Sequence, residues 1–580
     1  MKDKKQTIVL VIAIVCALVL FFLIFGLSQT PVQDPGSTQT DALSDWTLDN
    51  SASNGMPLSE NGSVYELDTN LYDVYLTVFP TEDADGNLLT FRSFDLHQSR
   101  DHTYNPVLDC NIQILEPGEI RDPLYQSNIK NATIRVRGNS SRGDTYKNYK
   151  VRLEDDAETF KGMSVLNINK HSEDVCKVST KLTMDLISQI PNLPGFRTYF
   201  FRVWICDASL PTDQQEYAYY GLYTDIEQPN KSYLNVRGLS ENAVMYKAHN
   251  FSFRNDERLK DVDDPAYSQE AFEEILSIRE GKDHKKLLDM VAAVNDMTRD
   301  FEEIFSEYFN EDNFLTWLAF NVLIENDDII NHNYILYSPE NSKTWYFIPW
   351  DVDGAMRFGE YGGSLMKLPE PLRGIQKLNQ NILMYRYFRL EGSLDKLERK
   401  MEEMLSGSFS ESRINSLLDR YIPVLEQTVV LEPDIGLLKM PPNELPAYLY
   451  GIHDAMEDNL EVYRESNQYP TPMYVAIPSK NADGSWHYAW DASYSYYGRP
   501  ITYNIVVSDD YNMNNVIFEE KDLATPEYDS AVRLAPGTYY VKVTAVDSAG
   551  NEQLSMERYE TMITDQKAMI VNGVLQFQVE

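Results

Sequence analysis

Cysteine is scarce. The 580 residues include four cysteines, and only Cys110, Cys176 and Cys206 lie beyond the N-terminal apolar stretch. No C-x-x-C occurs, so a disulfide scaffold is excluded, and a single bridge would leave one cysteine over. The eight histidines form no H-E-x-x-H or comparable pair, which leaves zinc hydrolysis without support. No G-x-S-x-G elbow occurs. Positive charge is also short: 51 Lys and Arg stand against 89 Asp and Glu, for a formal net charge of -38. With no basic surplus to neutralise phosphates, a nucleic-acid partner is not expected. Hydrophobic residues make up 43% of the chain, enough for a large core plus an accessory domain and too many for a disordered chain.

Long apolar runs are limited to Ile8 to Leu27, preceded by Lys2, Lys4 and Lys5. Roughly 20 apolar residues can span a bilayer, and the flanking lysines would hold the N-terminus in the cytoplasm. The expectation is a single-pass cell-membrane protein with an extracytoplasmic body: residues 1–7 cytoplasmic, 8–27 a transmembrane helix, 28–64 a flexible linker. A cleaved signal peptide is the alternative, with Gly26-Leu27-Ser28 as a cleavage site. Val15 before Cys16 argues against a lipoprotein anchor.

Strand-like alternation follows at 72–79, 111–115, 132–137, 149–153, 198–204 and 219–226, with a helix over 177–190. Helical spacing dominates 271–324 and 381–465. A β-rich part followed by a helical part predicts an α+β body of two lobes around a cleft, over 65–467. From about 470 short strands and turns recur, predicting an all-β sandwich over 470–564 and a tail over 565–580. This module resembles a fibronectin type III domain, with Trp490 as core tryptophan. Such modules bind or space, so its partner would be a polymer or a protein.

The chemistry concentrates in four places. Arg137-Gly-Asn139-Ser140-Ser-Arg142 joins two predicted strands, and a small-residue turn with arginines can fold over phosphates; a plain hairpin is the alternative. Lys147 and Lys150 follow where a kinase places its phosphate lysine, although lysines are also common on edge strands. Asp328 and Asn333 have the spacing of a kinase base and its metal-binding asparagine, with Asn326 and Asp327 in place of His-Arg. A polar loop capping a helix would look the same. Last, an apolar strand ends in Trp350-Asp351-Val-Asp353, two carboxylates suited to a metal. A glycosidase pair is conceivable but leaves Asn333 and the basic loop unexplained. All four elements fall in kinase order.

These residues resemble the CotH family of spore-coat-protein-H-like atypical kinases. The matching stretches are Ile134-Arg-Val-Arg-Gly-Asn-Ser-Ser-Arg, Lys147-Asn-Tyr-Lys-Val-Arg-Leu, Lys181-Leu-Thr-Met-Asp-Leu and Tyr220-Gly-Leu-Tyr-Thr-Asp-Ile-Glu-Gln. Met245-Tyr-Lys247, Asn326-Asp-Asp-Ile-Ile-Asn-His-Asn-Tyr and Phe347-Ile-Pro-Trp-Asp-Val-Asp-Gly complete the set. The resemblance implies a two-lobed, protein-kinase-like fold transferring the γ-phosphate of ATP, with Mg²⁺ or Mn²⁺, to Ser or Thr of a protein acceptor. It implies Asp328 as base and Asn333 and Asp351 as metal ligands, with Asp353 as a further one. Lys147, ahead of Lys150, and Arg142 would meet the phosphates; Glu227 and Gln228 would line the adenine pocket. Two other functions fit the same residues: a non-catalytic surface protein with a kinase-like domain, and an adenylyl transferase.

Overall fold

The structure is a computed structural model. It describes residues 56–83, 85–98, 103–122, 127–361, 372–564 and 567–580.

Seven strands of the N-terminal half close into a barrel: β1 (Leu71–Val78), β4 (Leu108–Leu115), β5 (Ala132–Arg137), β6 (Asn148–Leu153), β7 (Val165–Asn169), β8 (Thr198–Asp207) and β9 (Ala218–Ile226). Two short strands, β2 (Thr81–Glu82) and β3 (Leu88–Leu89), form a hairpin outside it. Neighbouring strands run antiparallel until the closing pair, where β1 runs parallel to β8, Leu71 opposite Phe200 and Val78 opposite Asp207. The period-2 pattern explains the closure. In β5, Ala132, Ile134 and Val136 are buried, and in β6 Tyr149, Val151 and Leu153 are, so each strand turns one apolar row into the barrel. The alternate row, Arg135, Arg137, Asn148 and Lys150, faces out.

The second half is built on the helix Glu311–Leu323, buried on nearly all sides, with a four-stranded sheet beside it. That sheet holds β10 (Val244–Ala248), β11 (Leu276–Glu280), β12 (Tyr334–Ser338) and β13 (Tyr346–Pro349). Asn313 ties helix to sheet: its Oδ1 accepts from the Phe347 amide at 2.6 Å and its Nδ2 donates to the Phe347 carbonyl at 3.1 Å. A cleft lies between barrel and sheet.

The chain ends in a three-stranded and a five-stranded sheet that share a core of Trp486, Tyr488, Trp490, Ile505, Val507, Val541 and Val543. This module is fastened to the helical half. Asn379 Nδ2 donates to the Tyr496 hydroxyl at 3.1 Å, the Arg389 guanidinium lies 3.5 Å from the Tyr385 ring and 4.9 Å from that of Tyr494, and Arg499 donates to the Gln468 carbonyl at 3.0 Å. Two residues on from Asn379, Asn381 Nδ2 donates to the Ile330 carbonyl at 2.8 Å.

The structure corrects the expected fold class and location. The architecture is mixed α/β with a closed seven-stranded barrel, because strands more than a hundred residues apart pair in parallel, a contact with no local sequence signature. Among the described residues no helix is long and apolar enough to cross a membrane, so the expected single N-terminal transmembrane helix, and the single-pass membrane location built on it, find no support. The segment 8–27 itself lies outside the described residues, as does the linker up to residue 55. Residues 56–64, expected at the end of that linker, are anchored at Leu58, which is buried and whose amide donates to Asn192 Oδ1 at 2.5 Å. Residues 574–579, expected as tail, form a strand paired with Gly537–Asp547.

Candidate functional site

The helix Glu311–Leu323 delivers the chain to the cleft and stops there. Glu325 takes a left-handed backbone (φ 54°), and Asn326, buried, folds back on the helix end through its amide and its Nδ2, both 2.9 Å from Asn321. The turn Asp327–Ile330 is pinned just after Asp328 by buried Ile329 and by the Asn381 bond to Ile330. Asp328, about half exposed, therefore sits at the cleft mouth on a fixed base. Asn333 also has positive φ (61°), which turns its carboxamide toward Asp328, Nδ2 to Oδ2 3.5 Å.

β12 leads away from Asn333, and antiparallel β13 returns to Trp350 and Asp351. Asp351 has positive φ as well (56°). A left-handed backbone at two non-glycine residues costs of order 1–3 kcal/mol each and persists where the surroundings impose it. Asp353 Oδ2 lies 3.2 Å from His171 Nδ1, on the loop after β7. Burial and the neighbouring Asp353 push the Asp351 carboxyl up, against the pull of Lys247, Arg137 and His171. For Asp353 burial acts the same way, but the hydrogen bond and charge of His171 outweigh it and hold the group below the ordinary range. Two adjacent carboxylates, each half-buried, repel unless a cation joins them. The donor set of two carboxylates and the Asn333 carboxamide is all oxygen, which suits Mg²⁺ or Mn²⁺.

Both halves of the molecule supply cations to the same cavity, of about 590 Å³. Arg137 hydrogen-bonds Asn169, and burial lowers its guanidinium to about 10. Lys247, on β10, lies 5.3 Å from the centre of the Trp350 ring, and burial lowers its amine to about 8 against the attraction of Asp351. Lys150, Arg135 and Arg279 line the same space. Asn139 Nδ2 reaches His249 Nδ1 at 3.4 Å, so the turn over the cleft touches the floor.

The structure brings together Asp328, Asn333, Asp351, Asp353, Arg137, Asn139 and Lys150. Ser140 lies in the short helical turn Ser140–Gly143 above them. Three other expected residues serve structure. The Lys147 ammonium is turned away from the cleft and donates to the carbonyls of Arg142 (2.8 Å) and Asp144 (2.6 Å). Arg142 borders the cleft, but its guanidinium is bound to the Gly138 carbonyl at 3.0 Å and Asn105 Oδ1 at 3.0 Å. Gly138 (φ 92°) makes the turn, since a Cβ there would collide with Ser141 Oγ. Glu227 pairs with Arg197 (2.5 Å) and Arg237 (2.6 Å) at the start of the hinge, the segment 227–243 that joins the barrel to the four-stranded sheet, and its neighbour Gln228 faces the cleft instead. Sequence reasoning assigned no role to Lys247, Arg279, Arg135 or His171. Lys247 entered the sequence reading as part of the matching stretch Met245-Tyr-Lys247, with no role attached.

The sequence model of the family described as "CotH kinase protein" matches residues 134–466. The chain belongs to the CotH family. The matched stretch begins in β5 and ends in the last helix before the C-terminal sheets, so it contains every cleft residue named above. Within the CotH family the chain is similar to the inner spore coat protein H of Bacillus subtilis (strain 168), 23% identical over 336 residues, covering 57% of this chain and 87% of that protein. The CotH family is kinase-related, and that relation rests on the stretch that builds the cleft; the C-terminal sheets lie outside it.

Proposed function

We propose that this protein is an ATP-dependent protein kinase acting on Ser or Thr hydroxyls. The observation that carries the reading is the convergence of Asp328, Asn333, Asp351 and Asp353 at the mouth of a cation-lined cleft. Asp328 accepts the acceptor hydroxyl proton as the oxygen bonds to the γ-phosphorus; the bond from that phosphorus to the β–γ bridging oxygen breaks, and ADP leaves. Arg137 and Lys247, one from each half, hold the phosphates. Asn333, Asp351 and Asp353 would hold Mg²⁺ or Mn²⁺, which neutralises charge on the phosphates when bound. The turn Gly138–Gly143 borders the site. The relative is a spore coat protein by name, and on that likeness the acceptor is a protein of an assembled surface layer.

The test is transfer of label. The full chain is incubated with γ-labelled ATP and Mg²⁺ or Mn²⁺, with itself and casein as acceptors, beside Asp351→Ala. Label with the parent and none with the variant supports the reading. No label, together with no thermal shift on adding Mg²⁺-ATP, overturns it in favour of a non-catalytic binding protein.

A further inference from the structure

The cations of the cleft are not all gathered around the acidic pair. Arg137 and Lys247 flank the acidic pair. Three further cations line the cavity toward the hinge, where a nucleotide base would ordinarily sit. Arg135 on β5 stands directly opposite Lys150 on β6. Lys150 Nζ donates to Gln228 Oε1 of the hinge at 3.0 Å. Arg279 approaches from β11 in the other half, and its Nε is buried with no hydrogen-bond partner.

We propose that Arg135, Lys150 and Arg279 form a second phosphate-binding subsite at the hinge end of the cleft, taking a phosphate or pyrophosphate group of a small ligand. The inference rests on the cleft being a phosphate-handling site, as proposed above.

Three observations support it. Among the described residues, no carboxylate lies within ion-pair distance of any of the three, in a chain with 89 acidic residues to choose from. Glu273 is the one acid that acts on Arg279, and it makes no ion pair with it. Burial pushes the Lys150 amine down to about 7, and the charged groups that shift it further, Arg135, Arg137, Arg279 and Arg152, are all cations. Like charges gathered in a partly dry space oppose one another, and an anion relieves all of them at once. The donors suit phosphate in particular. Two planar guanidiniums from opposite halves and one ammonium can bind several oxygens of a tetrahedral, multiply charged group.

Two sources would present that chemistry. One is a separate phosphorylated small molecule bound beside the nucleotide. The other is the phosphate tail of a nucleotide lying with its base outward. In that case the acceptor oxygen bonds to the α-phosphorus, the bond to the α–β bridging oxygen breaks, the proton passes to Asp328, and pyrophosphate leaves into the subsite.

The experiment is calorimetric titration of the metal-free full chain with inorganic pyrophosphate, for the parent, Lys150→Met, Arg279→Gln and Asp351→Asn. The subsite predicts binding by the parent and at least about 10-fold weakening by each cation variant, the effect of losing one charge-assisted contact. It predicts no weakening by Asp351→Asn. Thermal melts check that each variant is folded, and Arg135→Gln replaces one that is not. No binding by the parent, or affinity unchanged in both cation variants, overturns the proposal. Repeating the titration with saturating Mg²⁺-ATP separates the sources. Undiminished pyrophosphate binding identifies a separate ligand. Displacement, with α-label and not γ-label on the acceptor, identifies the reversed nucleotide. Displacement with γ-label shows that pyrophosphate was occupying the catalytic end, and overturns the subsite. Absence of any transfer would sink the kinase reading while leaving the pyrophosphate result intact.

Discussion

Arg142 and Lys147, on the turn above the cleft, and Lys247 and Arg137, inside it, are cations within one small region, yet they are used in opposite ways. The first two have most of their donors taken by oxygens of the protein, four bonds from Arg142 and two from Lys147. Burial depresses all four, but the second two make few bonds to the protein and stand beside Asp351. A cation whose donors are saturated by the backbone builds the wall of a site, and one left short of partners faces the ligand. Glu227 and Asp351 repeat the contrast among acids: Glu227 is gripped by two arginines, Asp351 is held beside another carboxylate.

Four substitutions test this contrast. Glu227→Gln breaks a buried ion-pair network and should cost about 3–5 kcal/mol of stability by denaturant unfolding. Burial raises the Glu227 carboxyl, but Arg237 and Arg197 lower it further, to a net value below 4.5. The stability it contributes is thus present above that pH and lost as pH falls through the folded value, which acid unfolding of parent and variant would show. Asp351→Asn should leave the melt nearly unchanged and lower kcat on the order of 10²–10³-fold, the scale of losing one preorganised electrostatic contact to the transferring group. Lys247→Met should reduce kcat/KM roughly 10–10²-fold, as expected for one charge-assisted contact to phosphate. Lys147→Met should cost about 1–3 kcal/mol in stability by leaving two carbonyls unmatched, with kcat/KM of the folded protein close to that of the parent. Equal kinetic effects of Lys147→Met and Lys247→Met would break the distinction.

Much of the site was legible in the sequence because its parts are local. The Asp328-to-Asn333 spacing and the strand ending in Asp351 and Asp353 each lie within a few residues, and the structure sets them side by side. The lysine of β6 was legible in principle. Tyr149, Val151 and Leu153 form the buried row, so Asn148 and Lys150 must face outward, while Lys147 shares the parity of Tyr149 and points in. Lys247 and Arg279 were not legible, because their place depends on β10 pairing with both β11 and β12, across about 30 and about 90 residues of sequence. Barrel closure was hidden for the same reason. Of the two neighbours expected in the adenine pocket, Gln228 faces the cleft and Glu227 does not: a single step along the chain turns a side chain from the cleft to the interior.

The bonds from Asn379 to Tyr496 and from Asn381 to Ile330 carry a practical consequence. A truncation after residue 467, the natural place to end a catalytic fragment, would strip Arg389 of Tyr494 and Asn379 of its hydroxyl, two residues from the brace of the Asp328 turn. Such a fragment should melt lower than the whole chain, and the whole chain should show one calorimetric transition rather than two. The terminal sheets then behave as a splint for the Asp328 turn, and the working unit of this kinase-related body extends past the boundary of its family.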